Sequence, residues 1–316
     1  MATAVHHGET EQQASWLWDY ASMRAPDRNE LYYFKFTCLS IAFYMAVHLA
    51  VHLIALRKSH VYQEMSYVKR TEYRTYIVSP IHALFAVSLS TMAMFFICGD
   101  GKTVFNNDAC FSTVRYIHIW ALLNTCGYFF TDFFFLFFII QGRTTLDYQT
   151  YAHHLVACAT YYQTLYWMDF MCVFGCMLLF IEISSPFVCM RWLLFTHGLV
   201  ESKWYAINAV AMFVVFFLSR IVYQFYVCFW FGSDWMVREY ERDGLTWVKG
   251  IVFTELIIMV LLSIALNVYW MLLMCRMILR VINRASKPKG SKEEKIELVN
   301  ADSLAIGNEA ECGSST

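Results

Sequence analysis

Ionisable side chains stand inside apolar stretches along much of this sequence: His48 and His52, His82, Asp132, His153 and His154, Glu182, Arg220 and Glu255, joined by the amides of Asn124 and Asn267. An ionisable group in hydrocarbon is costly unless it is paired or faces a cavity, so each is a candidate functional residue. Histidines near a carboxylate are the components of acid–base chemistry, with the carboxylate orienting the ring and favouring its charged form. His153 and His154 are adjacent and therefore point about 100° apart on a helix, so at most one can aim squarely at a given site. Asn124, Tyr128 and Asp132 follow i, i+4 spacing and share one helix face, which must turn inward. His48 and His52 have the same spacing, but no third ligand or H-E-x-x-H context accompanies them, so helix packing is the better reading and no metal site is expected. Ser263 and Asn267, also i, i+4, read as interhelical glue. Arg220 needs a buried acid, with Glu255 the first choice and Glu182 or Asp132 the alternatives.

The elements that hold these residues follow from composition. The chain has 316 residues, 59% hydrophobic and 16% charged, with mean hydropathy +0.44. An ordinary soluble domain is about half apolar and about a quarter charged. Disorder, collagen-like repeats and a small disulfide scaffold are excluded. A net charge of -1 argues against a nucleic-acid partner, which would select a basic face. A spanning helix needs about 20 apolar residues, and such runs predict seven spans: 36–56, 76–98, 115–140, 151–167, 170–188, 205–231 and 248–274. No signal peptide is expected in the opening residues, where His6-His7 reads as disordered chain. Only Met168-Asp169 separates the fourth span from the fifth. The polar, aromatic-poor residues 285–316 read as a disordered tail.

Seven spans put the two ends of the chain on opposite sides. Placing the tail in the cytosol gives that side about 15 of the 24 Lys and Arg, among them Arg57, Lys58, Lys69, Arg70, Arg74 and Arg143. The N-terminal segment 1–35 is then lumenal. Ten of the 11 cysteines precede the tail, without C-x-x-C or Cys/His metal spacing, and read as small hydrophobes. Cys98 and Cys110 flank a polar loop and can form a disulfide if it faces an oxidising lumen. In this topology His82 lies near the cytosolic end of its span, and His153 and His154 open theirs at the same end. Asp132, Glu182 and Asn267 lie within about two turns of that end, while Arg220 and Glu255 lie deeper. The expected result is a polar chamber within a helix bundle, open to the cytosol.

These residues have recognisable surroundings. Glu72-Tyr73-Arg74-Thr75-Tyr76-Ile77-Val78-Ser79-Pro80-Ile81-His82 resembles the opening of a TLC domain, the domain shared by translocating-chain-associating proteins and ceramide synthases. Gly127-Tyr128-Phe129-Phe130-Thr131-Asp132 is similar to the family's third-span aspartate motif, and His153-His154 to its paired histidines. Glu182-Ile183-Ser184-Ser185-Pro186-Phe187 with Arg191-Trp192 resembles the E-x-S-T-P-F…R-W signature of the small TLC-domain-containing proteins. Arg220 and Leu266-Asn267-Val268-Tyr269-Trp270 match the last two spans. The likeness covers about residues 65–280, six of the seven spans. It implies a helical bundle or barrel around a lipid-sized cavity, in the endoplasmic reticulum. Ceramide synthases use the paired histidines to move an acyl group from acyl-CoA to a sphingoid base, and their pattern continues into H-D-x-S-D-x-x-L-E. Here Ser185 replaces the second aspartate and Cys189 the glutamate, so the chain resembles the non-synthase branch.

The sequence therefore predicts an all-α membrane protein of seven transmembrane helices, 36–56 standing before a six-helix TLC-type bundle at 65–280. It is expected to act in membrane lipid homeostasis by binding a lipid or fatty acyl chain in an intramembrane cavity, with no cofactor. His82, Asn124, Tyr128, Glu182, Arg220 and Asn267 are the expected binding residues. The alternative is an acyltransferase with acyl-CoA as co-substrate, in which His153, His154 and Asp132 are catalytic. A channel is disfavoured because the buried polar groups are mixed in sign rather than arranged in like-charged rings.

Overall fold

A computed structural model of the chain describes residues 19–25, 29–167, 170–243 and 247–285. Among these residues there is one isolated bridge, between Arg24 and Arg115, and the rest of the regular structure is helical. Seven long helices dominate. They are α1 (Glu30–Lys58), α2 (Tyr67–Phe95) and α3 (Tyr116–Phe134, prolonged by a π-helical turn at Phe135–Ile140). Then come α4 (Thr145–Trp167) and α5, which joins Phe170–Leu178, a 3₁₀ stretch Leu179–Ser184 and Ser185–Thr196. The last two are α6, running from Lys203–Phe216 through π turns at Phe217–Tyr223 and Tyr226–Phe231 into Gly232–Asp243, and α7 (Trp247–Ala285).

The helices start where side chains satisfy free backbone N–H groups. Asn29 Oδ1 accepts from Tyr32 N at 2.9 Å, Ser66 Oγ from Lys69 N at 3.4 Å, and Ser202 Oγ from Tyr205 N at 3.2 Å. Such caps lie outside the apolar runs, so the helices begin earlier than the runs predict. The first starts at Glu30 rather than 36, α2 at Tyr67 rather than 76, and α4 at Thr145 rather than 151. His82 accordingly sits mid-helix, and His153 and His154 lie two turns inside α4 rather than at its opening.

Contacts fix the direction of each helix. At one end of the bundle Tyr76 on α2 stacks on Trp192 near the end of α5 (4.2 Å), and Arg74 lies over the Phe135 ring near the end of α3. Tyr151 early in α4 donates to Gly142 O at 2.8 Å, just past the end of α3. At the other end Arg238, late in α6, pairs with Asp108 in the loop between α2 and α3 at 2.9 Å. Gly232 on α6 lies against Phe174, near the start of α5. Gln163 late in α4 reaches Glu255 early in α7, and Trp270 late in α7 reaches Gln149 early in α4. The seven helices thus alternate in direction, each running the length of the bundle.

Six of them are long and apolar enough to cross a membrane. The other, α4, is about 34 Å long at about 1.5 Å per residue, but Asp147, Gln149, His153, His154 and Gln163 lower its apolarity. The protein is an all-α membrane protein.

The central helix is α3, where Ile119, Ala121, Leu122, Leu123 and Cys126 are almost wholly buried. Hydrocarbon supplies no hydrophobic drive between helices, so close approach of small residues matters. Gly127 meets α1 at Ser40, and a Cβ there would collide with the Ser40 side chain. Cys98 and Cys110 form a disulfide at the loop end of the bundle. The N-terminal residues lie at that same end: Ala25 N donates to Val114 O at 3.0 Å, and Tyr20 stacks on Tyr116. His6-His7, Met168-Asp169 and the tail beyond Ala285 lie outside the described residues.

Candidate functional site

The polar residues of the bundle fall into two groups. The first is packed between α1, α2, α3 and α4. Asn124 Nδ2 donates to the Tyr44 hydroxyl at 2.9 Å, and Ser40 Oγ donates to Asn124 O at 3.1 Å. His82 lies flat on Tyr128, with ring centroids 4.1 Å apart, and Phe129 lies flat on His154 at 4.7 Å. His154 Nδ1 stands 3.6 Å from Asp132 Oδ2, a charge-range approach rather than a hydrogen bond. The i, i+4 stripe Asn124, Tyr128, Asp132 does share one face of α3, but that face is filled by neighbouring side chains. Tyr44 and His82 are at most 1% exposed.

The second group joins α5, α6 and α7. Arg220 Nε donates to Ser184 Oγ at 2.7 Å, and its NH2 group donates to Glu182 Oε1 at 3.2 Å and Ser185 Oγ at 3.1 Å. Its NH1 group donates to Asn267 Oδ1 at 3.4 Å, and its guanidinium lies over the Phe216 ring. Asn267 Nδ2 donates to Gln224 Oε1 at 2.7 Å, and Gln224 Nε2 donates to Ser263 Oγ at 3.0 Å. Ser185 Oγ donates to the second oxygen of Glu182 at 2.5 Å. The ion pair is therefore embedded in further hydrogen bonds, which offset the cost of burying two charges.

Local backbone irregularities build this network. Pro186 lacks an N–H and opens the last helical segment of α5. The tighter 3₁₀ stretch before it brings Glu182, Ser184 and Ser185 towards α6. Arg220 lies within the first π turn of α6 and Gln224 at its end, and such widened turns are frequent at functional sites.

A cavity of about 310 Å³ opens beside this network, with Gln149, His153, Tyr161, Glu182, Gln224 and Ser263 as its polar lining. It shares Thr160, Tyr161, Leu178 and Val260 with a second cavity of about 250 Å³, whose walls include Met171, Phe174, Gly175, Phe229 and Leu256. Together they form a slot, polar at one end and apolar along the rest. Among the described residues His153 makes no hydrogen bond, and its ring lies near Phe129 and Trp270.

The structure sorts the sequence-predicted residues. His153 and Glu182 line the slot, while Arg220 and Asn267 back it through Glu182 and Gln224. Asn124, Tyr128, His82, Asp132 and His154 sit in the packed group and do not line it. The carboxylate Asp132 stands beside His154, not beside His153. Arg220 has the acid partner expected of it, and the partner is the alternative Glu182 rather than the first choice Glu255, which accepts from Gln163 at 2.9 Å. One expectation is corrected: Arg220 is not deeper than its partners, because α5 and α7 continue to Thr196 and Ala285 and place Glu182 and Asn267 mid-helix. Gln149 escaped the sequence reading because it precedes the predicted start of its span at 151, whereas the helix begins at Thr145. Gln224, which escaped it too, stands four residues after Arg220, and that spacing was the available signal.

The TLC-domain family model matches residues 73–276. TLC domain-containing protein 4-A of Xenopus laevis is 28% identical over 242 residues, covering 73% of this chain and 84% of its own length. TLC domain-containing protein 4 of Homo sapiens is 25% identical over 265 residues, covering 81% of this chain and 93% of its own. TLC domain-containing protein 1 of Homo sapiens is 24% identical over 107 residues, covering 34% and 42%. The matched residues run from Tyr73 in α2 to Arg276 in α7 and include the Arg220 network, the slot and, of the packed group, all but Ser40 and Tyr44 of α1, and the chain belongs to the TLC-domain family.

Proposed function

We propose that this protein holds a lipid or fatty acyl chain in the slot and acts through it in membrane lipid homeostasis, in the endoplasmic reticulum. The observation that carries this reading is the adjacency of the two cavities, which share four lining residues, one edged by Gln149, His153 and Glu182 and the other apolar. Ligand sites commonly combine apolar walls with a few placed polar groups. The N-terminus faces the lumen and the C-terminus the cytosol. This orientation is supported by the disulfide, which favours an oxidising compartment, on the N-terminal face. Arg57, Lys58, Arg70 and Arg74 at the opposite end also support it. The test is mass spectrometry of lipid copurified with the protein from nanodiscs. A retained lipid that is depleted in His153→Ala supports the reading, and a wild-type protein without lipid contradicts it.

A second reading is acyl transfer, favoured by the placement of His153 in the slot without a hydrogen-bond partner among the described residues. A histidine there can act as general base or accept an acyl group. Labelled acyl-CoA with a panel of amine and lyso-lipid acceptors separates the two. Product formed by wild type and lost in His153→Ala establishes transfer, and unconsumed acyl-CoA leaves lipid holding as the account.

A further inference from the structure

We propose that the slot is loaded sideways from the bilayer, through the seam between α4 and α7, by a single-chain amphiphile with an uncharged, hydrogen-bonding head. This rests on the reading of the slot as a lipid site. Both cavities have α4 on one wall and α7 on the other, with Thr160 facing one side of each and Val260 the other. Several lining residues are also open to the outside of the bundle: Val156 is 36% exposed, Ile257 44%, Leu261 47% and Leu262 56%. A cavity wall that is at once outer surface marks the seam as the slot's opening, and in a membrane that surface meets lipid. Two side-chain hydrogen bonds cross the seam near its ends, Gln163 to Glu255 at 2.9 Å and Trp270 to Gln149 at 3.1 Å. Both can break without leaving a charge buried, because Glu255, the one ionisable partner, is exposed, while Gln163, Gln149 and Trp270 are neutral and half-buried.

Dimensions and charge define the ligand. Along α4 the lining runs from Gln149 to Thr164, about 22 Å at about 1.5 Å per residue. One leaflet's hydrocarbon is about 15 Å thick, so the slot accommodates one extended chain and its head. At the polar end the Arg220 guanidinium is committed to Glu182, Ser184, Ser185 and Asn267. An anionic head would meet the Glu182 carboxylate with no uncommitted guanidinium or ammonium in the lining. Gln149 and His153 instead offer an amide and an imidazole to a hydroxyl, ester or amide head.

The test uses the full chain in phosphatidylcholine vesicles and three probes fluorescently labelled on the acyl chain: a monoacylglycerol, a fatty acid and a lysophosphatidylcholine. In Gln163→Cys/Glu255→Cys a short cleavable thiol cross-linker ties the seam, and Gln163→Cys and Glu255→Cys alone, which carry the same native cysteines, receive the same treatment. Monoacylglycerol uptake should fall about tenfold or more on cross-linking and recover on cleavage, while the treatment leaves the uptake of each single variant unchanged. Glu255→Ala should load several-fold faster. Unchanged uptake by the cross-linked protein would overturn the seam as the entrance, and preferential uptake of the fatty acid or lysophosphatidylcholine would overturn the uncharged head. If the untreated wild type retained none of the probes, the lipid-slot reading itself would fall, and the entrance with it.

Discussion

The packed polar group around Asp132, held by α1–α4, and the networked group around Arg220, held by α5–α7, solve the burial of polar groups differently. Around Asp132, aromatic rings stack on histidines and several polar atoms stay unbonded: Asp132 Oδ1, His82 Nε2 and His154 Nδ1 have no hydrogen-bond partner among the described residues. Around Arg220, four side chains from α5 and α7 accept from the guanidinium, and one of them, Ser185, also donates to the Glu182 carboxylate. The slot opens beside the second group. Polar density in a span therefore does not by itself mark a site. The richer polar stripe is filled with side chains, and the space lies where an ion pair already satisfied within the protein forms a stable wall.

The largest expected effect comes from breaking that wall. Arg220→Ala leaves Glu182 buried without its cation and should destabilise the protein by about 3–5 kcal/mol. The double substitution Arg220→Met/Glu182→Leu should recover a substantial part of this in thermal unfolding. Equal loss in both would show that the surrounding serines and Asn267, rather than the charge pair, carry the stability. In the packed group, Asn124→Ala removes the bond its amide donates to Tyr44 and the one its Oδ1 accepts from Ser40 Oγ at 3.3 Å, and should cost about 1–2 kcal/mol. It should leave copurified lipid unchanged, and a parallel loss of lipid would join the two groups into one site. The smallest stability effect belongs to His153→Ala. His153 has no hydrogen bond to lose among the described residues, so the melting temperature should move by no more than about 0.5 kcal/mol would cause, while lipid retention falls. A large drop in melting temperature would return His153 to a packing role.

Much of this arrangement is legible in the residues. The apolar runs locate all seven helices, the i, i+4 stripe on α3 is real, and the roughly 100° between adjacent helical residues anticipates the parting of His153 and His154. What was not legible has physical causes. Hydropathy does not register capped polar turns, so the helix ends and every depth measured from them were displaced, and Glu255 looked level with Arg220. The 3₁₀ stretch of α5 and the π turns of α6 shift side-chain phase in ways that a uniform helical period cannot express. Whether an inward face meets space or a neighbour's ring depends on residues far away in sequence, as when Tyr44 and His82 fill the room beside Asn124 and Tyr128.

The central claim is that the slot holds a lipid chain, and filling the slot tests it most directly. Gly175 lines the apolar cavity, and a Cβ there would meet Leu122, Thr164 and Tyr161 only at ordinary contact distances, the nearest at 3.6 Å. Gly175→Ala should therefore fold, helped by its higher helix propensity, and in Gly175→Leu the three further carbons must occupy the cavity in place of methylenes. Lipid bound per protein should be measured by native mass spectrometry for wild type, Gly175→Leu and Gly175→Ala. The account predicts bound lipid in the wild type, most of it kept in Gly175→Ala, and little or none in a stably folded Gly175→Leu. Equal lipid in all three would contradict it.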